Sequence, residues 1–104
     1  MKKLQIEIPR AKVEEFCKRW NIIELSFFGS ILREDFHSGS DVDILIEFSQ
    51  KVSWGLLDLA KMEEELTQIF NRPVDLISKR AIINSRNWIR KQNILESAEV
   101  YYAA

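Results

Sequence analysis

Hydrophobic and polar positions repeat with two different periods along this chain, and the changes of period mark its elements. Between residues 10 and 20 apolar side chains recur at helical spacing after Pro9, and Asn21 follows as a stop signal. Residues 22–28 are rich in Ile and Phe, and residues 41–48 alternate apolar with polar side chains, which is typical of strands. This part of the chain therefore predicts a helix followed by two strands.

The second half continues with helix, strand and helix. Ser53 is a candidate N-cap for a long helix that extends to about Phe70. Pro73 cannot continue that helix, and a third strand is predicted over residues 74–77. A last helix is predicted from about Ser85. Its apolar positions are Trp88, Ile94, Leu95, Ala98 and Tyr101.

Three shorter segments complete this picture. Residues 4–8 predict an edge strand or an extended lead-in, residues 31–35 a short helix, and residues 36–40 a loop. The order of elements predicts a small mixed β-sheet flanked by helices, in the α/β or α+β class. Because the chain has 104 residues and no linker-like stretch, we expect one domain over residues 1–104.

Composition narrows the classes of function. Fifteen basic and sixteen acidic residues give a net charge of -1, so a broad electrostatic surface for nucleic acid is not expected. The single cysteine, Cys17, cannot form an internal disulfide. The chain starts without an apolar stretch of signal-peptide length, and no segment is apolar for long enough to span a bilayer. We therefore expect a cytoplasmic protein that does not contact membranes.

Three acidic residues carry the candidate chemistry. Asp41 and Asp43 are two positions apart on a predicted strand, so they project from the same face with Cα atoms roughly 6–7 Å apart. Asp75 lies in the middle of the next predicted strand and can join them if the strands are neighbours. Two carboxylates about 5 Å apart repel by roughly 3 kcal/mol at an effective dielectric of 20. Such a cluster therefore needs strong solvation or bound cations, and carboxylate oxygens suit Mg²⁺.

Gly29-Ser30 supplies a second candidate feature directly after the first strand. Glycine lets the backbone approach a ligand closely, and a helix that starts at Ser30 would offer N–H groups to phosphate. Each feature has a simpler explanation when it stands alone, since Gly-Ser is a common turn and Asp-x-Asp is frequent at exposed strand ends. Together they predict metal-assisted transfer from a nucleoside triphosphate.

These residues resemble a known family. Gly29-Ser30, ten intervening residues and Asp41-Val42-Asp43 match the signature of the DNA polymerase β-like nucleotidyltransferase superfamily. With Arg33, Asp35 and Ser40-Asp41, the pattern resembles its minimal nucleotidyltransferases, the antitoxins of toxin–antitoxin pairs whose toxin has a HEPN domain. The resemblance extends over nearly the whole chain, including the strand of Asp75. The sequence departs from it at Glu34, where many relatives carry glycine.

The resemblance implies an activity and a set of site residues. It implies catalysis and binding of two Mg²⁺ ions by Asp41, Asp43 and Asp75, and triphosphate contact by Gly29 and Ser30, with Arg33 and Ser40 as further nucleotide-binding candidates. It also implies AMP transfer from ATP to a tyrosine of a HEPN toxin, in a pair of the type VII kind. The alternatives are an antitoxin that neutralises by binding alone and a nucleotidyltransferase of small molecules.

Other side chains keep two interpretations. Arg33 could contact the triphosphate or pair with Asp35, and His37 suits surface more than a Mg²⁺ site. The remaining residues are assigned to surface or phosphate (Lys79, Arg80), to core or interface (Cys17, Trp20, Trp54, Leu56, Leu57, Trp88) and to helix packing (Tyr101, Tyr102).

The length of the chain bears on the acceptor of the transferred group. About a hundred residues leave little room for an acceptor-binding domain, so the acceptor is expected on a partner or across a homo- or hetero-oligomer interface.

Overall fold

The computed structural model describes residues 7–32 and 40–104. These residues form helices and strands in the order of one helix, two strands, one helix, one strand, two helices and a last strand, with a short 3₁₀ turn after the first strand. The elements are α1 (Arg10–Arg19), β1 (Ile22–Phe28), the 3₁₀ turn (Gly29–Leu32), β2 (Val42–Phe48), α2 (Leu56–Phe70), β3 (Val74–Ser78), α3 (Lys79–Ile83), α4 (Trp88–Ser97) and β4 (Glu99–Ala103).

The four strands form one mixed sheet in the order β3-β2-β1-β4. β1 is antiparallel to both β2 and β4, whereas β2 and β3 are parallel. A parallel pair needs a crossover connection, and α2 provides it. The predicted fold class, a small mixed sheet flanked by helices, is confirmed.

The two faces of the sheet are covered by different helices. On one face Phe27, Ile44 and Ile46 pack with buried residues of α1 and α2, such as Phe16 and Leu66. The opposite face carries a smaller cluster in which β1 and β2 contact the last two helices, formed by Phe28, Leu45, Ile82 and Ile94. Because side chains alternate along a strand, Asp43 shares the second face with Leu45.

The largest error of the sequence prediction lies at the end of the chain. The last helix stops at Ser97, and Glu99–Ala103 is a strand paired with β1, so the prediction that Ala98 and Tyr101 continue the helix is wrong. Tyr101 and Tyr102 belong to β4 rather than to helix packing. The Tyr101 ring packs edge-on against Phe27, with centroids 5.4 Å apart, because pairing with β1 places it over the core.

Three further elements differ from the sequence prediction. The long helix begins at Leu56 rather than near Ser53, since the Gly55 N–H donates to Asp58 Oδ2 at 3.0 Å and so closes the first turn. The helix α3 was not predicted; the Ser78 hydroxyl caps it by accepting from the Ala81 N–H at 3.1 Å. The first turn after β1 already spans Gly29–Leu32, and residues 33–35 lie outside the described residues.

Boundaries set by turn residues agree better. The helix α1 ends at Arg19, and Asn21 adopts the left-handed conformation, as expected of a stop. Residues 4–6 are not described, and Glu7 and Ile8 are not in a strand. Within the described ranges, no helix is long and apolar enough to cross a membrane.

A pair of tryptophans joins the loop after β2 to the end of α1. The Trp20 and Trp54 rings meet edge to face with centroids 5.0 Å apart. The Trp54 indole N–H donates to the Trp20 carbonyl at 2.9 Å, and the Trp20 indole and Arg19 both donate to the Glu65 carboxylate. This hydrogen bonding raises the pKa of the Arg19 guanidinium. The pair fixes the loop against both helices of the first face. Trp20 is partly buried and packs against the core, in agreement with its assignment to the core or an interface.

Candidate active site

Strand pairing places two of the three predicted carboxylates side by side. Asp43 on β2 and Asp75 on β3 are register partners in the parallel pair. Register partners project from the same face, and neighbouring strands lie roughly 5 Å apart. The expected meeting of Asp43 and Asp75 across neighbouring strands is therefore present in the backbone pairing.

Gly29 lies directly against Asp43. It follows Phe28, the register partner of Asp43 across the antiparallel pair, and has a φ of +74°, in the left-handed region that side chains disfavour. A Cβ at this position would overlap Asp43 Oδ2 and lie 3.2 Å from Asp43 Cγ. Position 29 therefore requires glycine for two reasons: the backbone has a positive φ, and the Asp43 carboxylate occupies the space that a side chain would fill.

The structure places Asp41 and Ser40 just before β2. Asp41 is exposed and Ser40 is half-buried. The Val42 N–H donates to the Pro73 carbonyl at 3.0 Å, which fixes the start of β2 beside the start of β3. All three aspartates therefore lie at the same end of the parallel pair, with Asp43 and Asp75 in direct register and Asp41 at the entry of β2.

Several predicted site residues are only partly covered by the structure. Ser30 lies in the 3₁₀ turn, and the predicted bond from its hydroxyl to phosphate stays a prediction. That turn has four residues, so the expected longer helix with its dipole does not start at Ser30. Arg33 and His37 lie outside the described residues, as do Glu34 and Asp35.

The site has the ligand chemistry of a hard-cation centre but is not closed around one. Asp43 and Asp75 offer carboxylate oxygens, the donors that Mg²⁺ prefers. No group of three His, Cys, Asp or Glu side chains in residues 7–32 and 40–104 lies close enough to hold a metal ion. The residues present therefore fit a divalent cation as a pair in register, with Asp41 two positions before Asp43 in the chain.

Lys79 and Arg80 occupy the other end of the same strands. Lys79 begins α3 after β3, and its Nζ atom lies 3.5 Å from Glu24 Oε1 and 3.6 Å from Glu47 Oε1. Neither glutamate was singled out in the sequence, because nothing in their spacing links them to Lys79. Arg80 is exposed, which agrees with the surface interpretation.

Comparison with known families decides the family of this chain. The family model described as "Nucleotidyltransferase domain" matches residues 10–101. This chain belongs to the nucleotidyltransferase domain family. The match contains all the elements that position Gly29, Asp43 and Asp75, so the prediction of a nucleotidyltransferase enzyme is confirmed at the level of the family.

Curated nucleotidyltransferases from two archaea are similar in sequence. A protein of Methanocaldococcus jannaschii assigned as a protein adenylyltransferase is 35% identical over 78 residues, which cover 75% of this chain and 78% of that protein. The protein adenylyltransferase MntA of Thermococcus cleftensis is 35% identical over 75 residues, which cover 72% of this chain and 74% of that protein.

Solved structures agree with the family. One assigned as a minimal nucleotidyltransferase is 27% identical, with a TM-score of 0.65, and the match covers 86% of this chain and 89% of that chain. A toxin–antitoxin structure with AMP-PNP has a TM-score of 0.73 and 16% identity, covering 93% of this chain and 75% of that one, and so shows the shared fold. The chain is thus a member of the minimal nucleotidyltransferase family, as its sequence motif indicated.

Proposed function

We propose that this chain transfers AMP from ATP to a tyrosine of a partner toxin with a HEPN domain, and so acts as the antitoxin of the pair. The observation that carries the proposal is the register pair of Asp43 and Asp75, with Gly29 holding the backbone open beside Asp43. Curated relatives are named protein adenylyltransferases, and a structural neighbour is a toxin–antitoxin complex with AMP-PNP.

The side chains of the carboxylate end have separate roles in this proposal. Asp43 and Asp75 would hold Mg²⁺, with Asp41 completing the set from the start of β2. The tyrosine oxygen would bond to the α-phosphorus of ATP as the bond to the leaving pyrophosphate breaks, and bound Mg²⁺ would supply charge neutralisation for the triphosphate. Asp75 is exposed and would accept the proton of the tyrosine hydroxyl. Gly29 and Ser30 would contact the triphosphate, and Arg33 and Ser40 remain further candidates for that contact.

The protein acceptor is the finer part of the proposal. The carboxylates lie at an open end of the sheet, where Asp41 and Asp75 are exposed, so a side chain of another protein can approach them. A further structural neighbour is the toxin–antitoxin pair MntA-HepT. These observations support a toxin as acceptor over a small molecule.

Transfer of label from ATP tests the function. The chain is co-purified with a co-expressed HEPN-domain partner protein and incubated with Mg²⁺ and ATP labelled in the α-phosphate. We expect label on the partner and an added AMP mass on one tyrosine. Asp43→Asn should abolish this transfer, whereas Glu64→Gln, which changes an exposed carboxylate on α2, should leave it intact.

The two alternative functions predict different results from the proposed one. An antitoxin that neutralises by binding alone would protect cells equally well with Asp43→Asn. A small-molecule enzyme would label an aminoglycoside without any protein partner. Unchanged labelling of the partner by Asp43→Asn would contradict the proposed use of the carboxylates.

A further inference from the structure

An open cleft lies at the end of the β2–β3 pair opposite the carboxylates. Its volume is about 520 Å³, and its apolar lining includes Val52, Trp54 and Ile83. Phe48, which also lines the cleft, is five residues along β2 from Asp43, a distance of roughly 16 Å. The cleft is therefore separate from the site of chemistry, and nothing in the proposed reaction uses it.

Five of the seven large hydrophobic side chains that are exposed in the described parts of the chain line this cleft or lie within five residues of its lining in the sequence. Leu56 and Leu57, at the start of α2 beside the lining residues Trp54 and Leu59, are 85% and 82% exposed. On the other side, Ile83 at the end of α3 lines the cleft, and Trp88 and Ile89 follow in the chain at the start of α4; all three are exposed. Soluble monomers rarely expose so much apolar surface in one place unless it has a partner.

The same region concentrates positive charge. Residues 79–91 contain five Lys and Arg side chains and no acidic residue, and Glu47 is the acidic residue among the described residues that line the cleft. Lys79 is paired with two glutamates, and Lys91 Nζ donates to the Ile83 carbonyl at 2.9 Å, which holds the start of α4 against α3. The exposed side chains of this region form what we call the distal patch: Leu56, Leu57, Ile83, Trp88 and Ile89 with Arg80, Arg86 and Arg90.

The three arginines of the distal patch are available to a partner. Arg80, Arg86 and Arg90 are exposed, and none forms an ion pair with another described residue. Arginine and tryptophan are the side chains most enriched at the energetic centres of protein interfaces. A guanidinium binds a carboxylate through two parallel hydrogen bonds, so this charge suits an acidic protein surface.

We propose that the distal patch docks an amphipathic helix of the protein acceptor, with leucine-like side chains in the cleft and Asp or Glu along its flanks. This proposal rests on the proposed function for the role of the partner. An open cleft with six apolar residues in its lining, Arg80 among its polar ones and further arginines in the segment that follows suits such a helix. Nucleic acid would use the arginines and Trp88 but would leave the aliphatic Leu56, Leu57, Ile83 and Ile89 against a polar backbone.

Docking roughly 16 Å from Asp43 separates binding from chemistry. An interface of ordinary size buries about 800 Å² on each partner, enough to reach from the distal patch toward the carboxylates. Substitutions in the patch should therefore raise the KM for the protein acceptor and leave kcat unchanged. Hydrolysis of ATP without acceptor should also stay unchanged.

Calorimetric titration of the full chain with model helices tests the chemistry without ATP. The probes are a 20-residue helical peptide with Leu on one face and Glu on its flanks, the same peptide with Lys in place of Glu, and a single-stranded RNA of 15 nucleotides. We expect the Glu peptide to bind and the other two not to bind. Arg86→Glu combined with Arg90→Glu should weaken binding about tenfold or more.

The control variant carries the same charge change on another surface. Lys12→Glu combined with Lys18→Glu alters exposed positions of α1 and should leave peptide binding unchanged. Arg86→Gln combined with Arg90→Gln keeps the test informative if charge reversal disturbs folding. Equal binding of the Lys peptide, or RNA binding that is lost in the arginine variants, would overturn the proposal. A dimer that the arginine variants dissociate would overturn it as well.

The two proposals fail independently. If the Glu peptide does not bind while label still passes from ATP to the partner protein, the docking surface is wrong and the proposed function stands. If Asp43→Asn still labels the partner while the peptide binds as expected, the carboxylate mechanism is wrong and the docking surface stands.

Discussion

At one end of the β2–β3 pair, Asp43 and Asp75 face each other across the backbone ladder, and at the other end Lys79 lies between Glu24 and Glu47. Strand pairing thus brings two carboxylates together at each end, and at the second end Lys79 lies between them. Repulsion between neighbouring carboxylates opposes folding unless cations or water offset it. The comparison teaches that strand pairing sets carboxylates side by side at both ends, and that at the second end a lysine supplies the compensating charge.

The largest effect is expected from Asp75→Asn. This change keeps the size and strand position of the side chain but removes a carboxylate that we propose binds Mg²⁺. Nucleotidyl transfer should fall about a thousandfold, which corresponds to about 4 kcal/mol in the activation free energy. Rates of label transfer measure the first quantity. The free energy of unfolding without Mg²⁺ should stay equal or rise, and a marked fall would show that the carboxylates stabilise the fold.

Gly29→Ala should affect both activity and stability. A side chain at a φ of +74° costs about 1–2 kcal/mol, and the new Cβ would displace the Asp43 carboxylate. We expect a loss of that size in urea unfolding, together with a loss of transfer on the order of a hundredfold. Gly55→Ala is the matched control, because its Cβ meets nothing closer than Asp58 Oδ2 at 3.9 Å. Equal transfer in the two variants would contradict the assigned role of Gly29.

The buried thiol of Cys17 should make the free energy of unfolding depend on pH. Burial and the nearby Glu14 raise the pKa of its thiol from 9.0 to about 12. Below pH 9 the thiol is protonated in both the folded and the unfolded chain. Between pH 9 and 12 the unfolded thiol ionises first, so the free energy of unfolding should fall by up to about 1.4 kcal/mol per pH unit. Unfolding at pH 8, 9 and 10 measures this slope, and Cys17→Ala should have a smaller one.

Lys79→Met should have the smallest effect. The ion pairs with Glu24 and Glu47 are partly exposed, so their loss should cost less than about 1 kcal/mol of unfolding free energy. Label transfer to the partner should keep its kcat, because Lys79 lies at the end of β3 remote from Asp75. A strong loss of kcat would show that the Lys79 end of the strands affects catalysis, and it would contradict the separation of the two ends.

Sequence periodicity predicted the strands and helices that bury one clear face. The run over 22–28 and the alternation over 41–48 match β1 and nearly match β2, and Asp75 lies on β3 as expected. The family motif also identified Gly29 and Asp43, which the structure brings together. These features depend on short-range patterns that the sequence carries by itself.

The end of the chain could not be predicted in the same way. A helical spacing continues through Ile94, Leu95, Ala98 and Tyr101, whereas Val and Tyr residues favour strands. The last residues form a strand because they pair with the edge of β1. Leu56 and Leu57 looked like core residues but are exposed, because α2 starts beyond the sheet and turns other residues inward. Trp88 is likewise outside the core, at 66% exposure.

The three tryptophans report separately on two parts of the molecule. Trp20 and Trp54 touch each other and are partly buried, whereas Trp88 is open to solvent in the distal patch. Trp88 should therefore dominate the red side of the intrinsic fluorescence and be quenched first by iodide. A partner that covers Trp88 would shift that emission to the blue and protect it from iodide, whereas an occupant confined to the cleft would contact Trp54, so the native chain contains an optical reporter for each part of this surface.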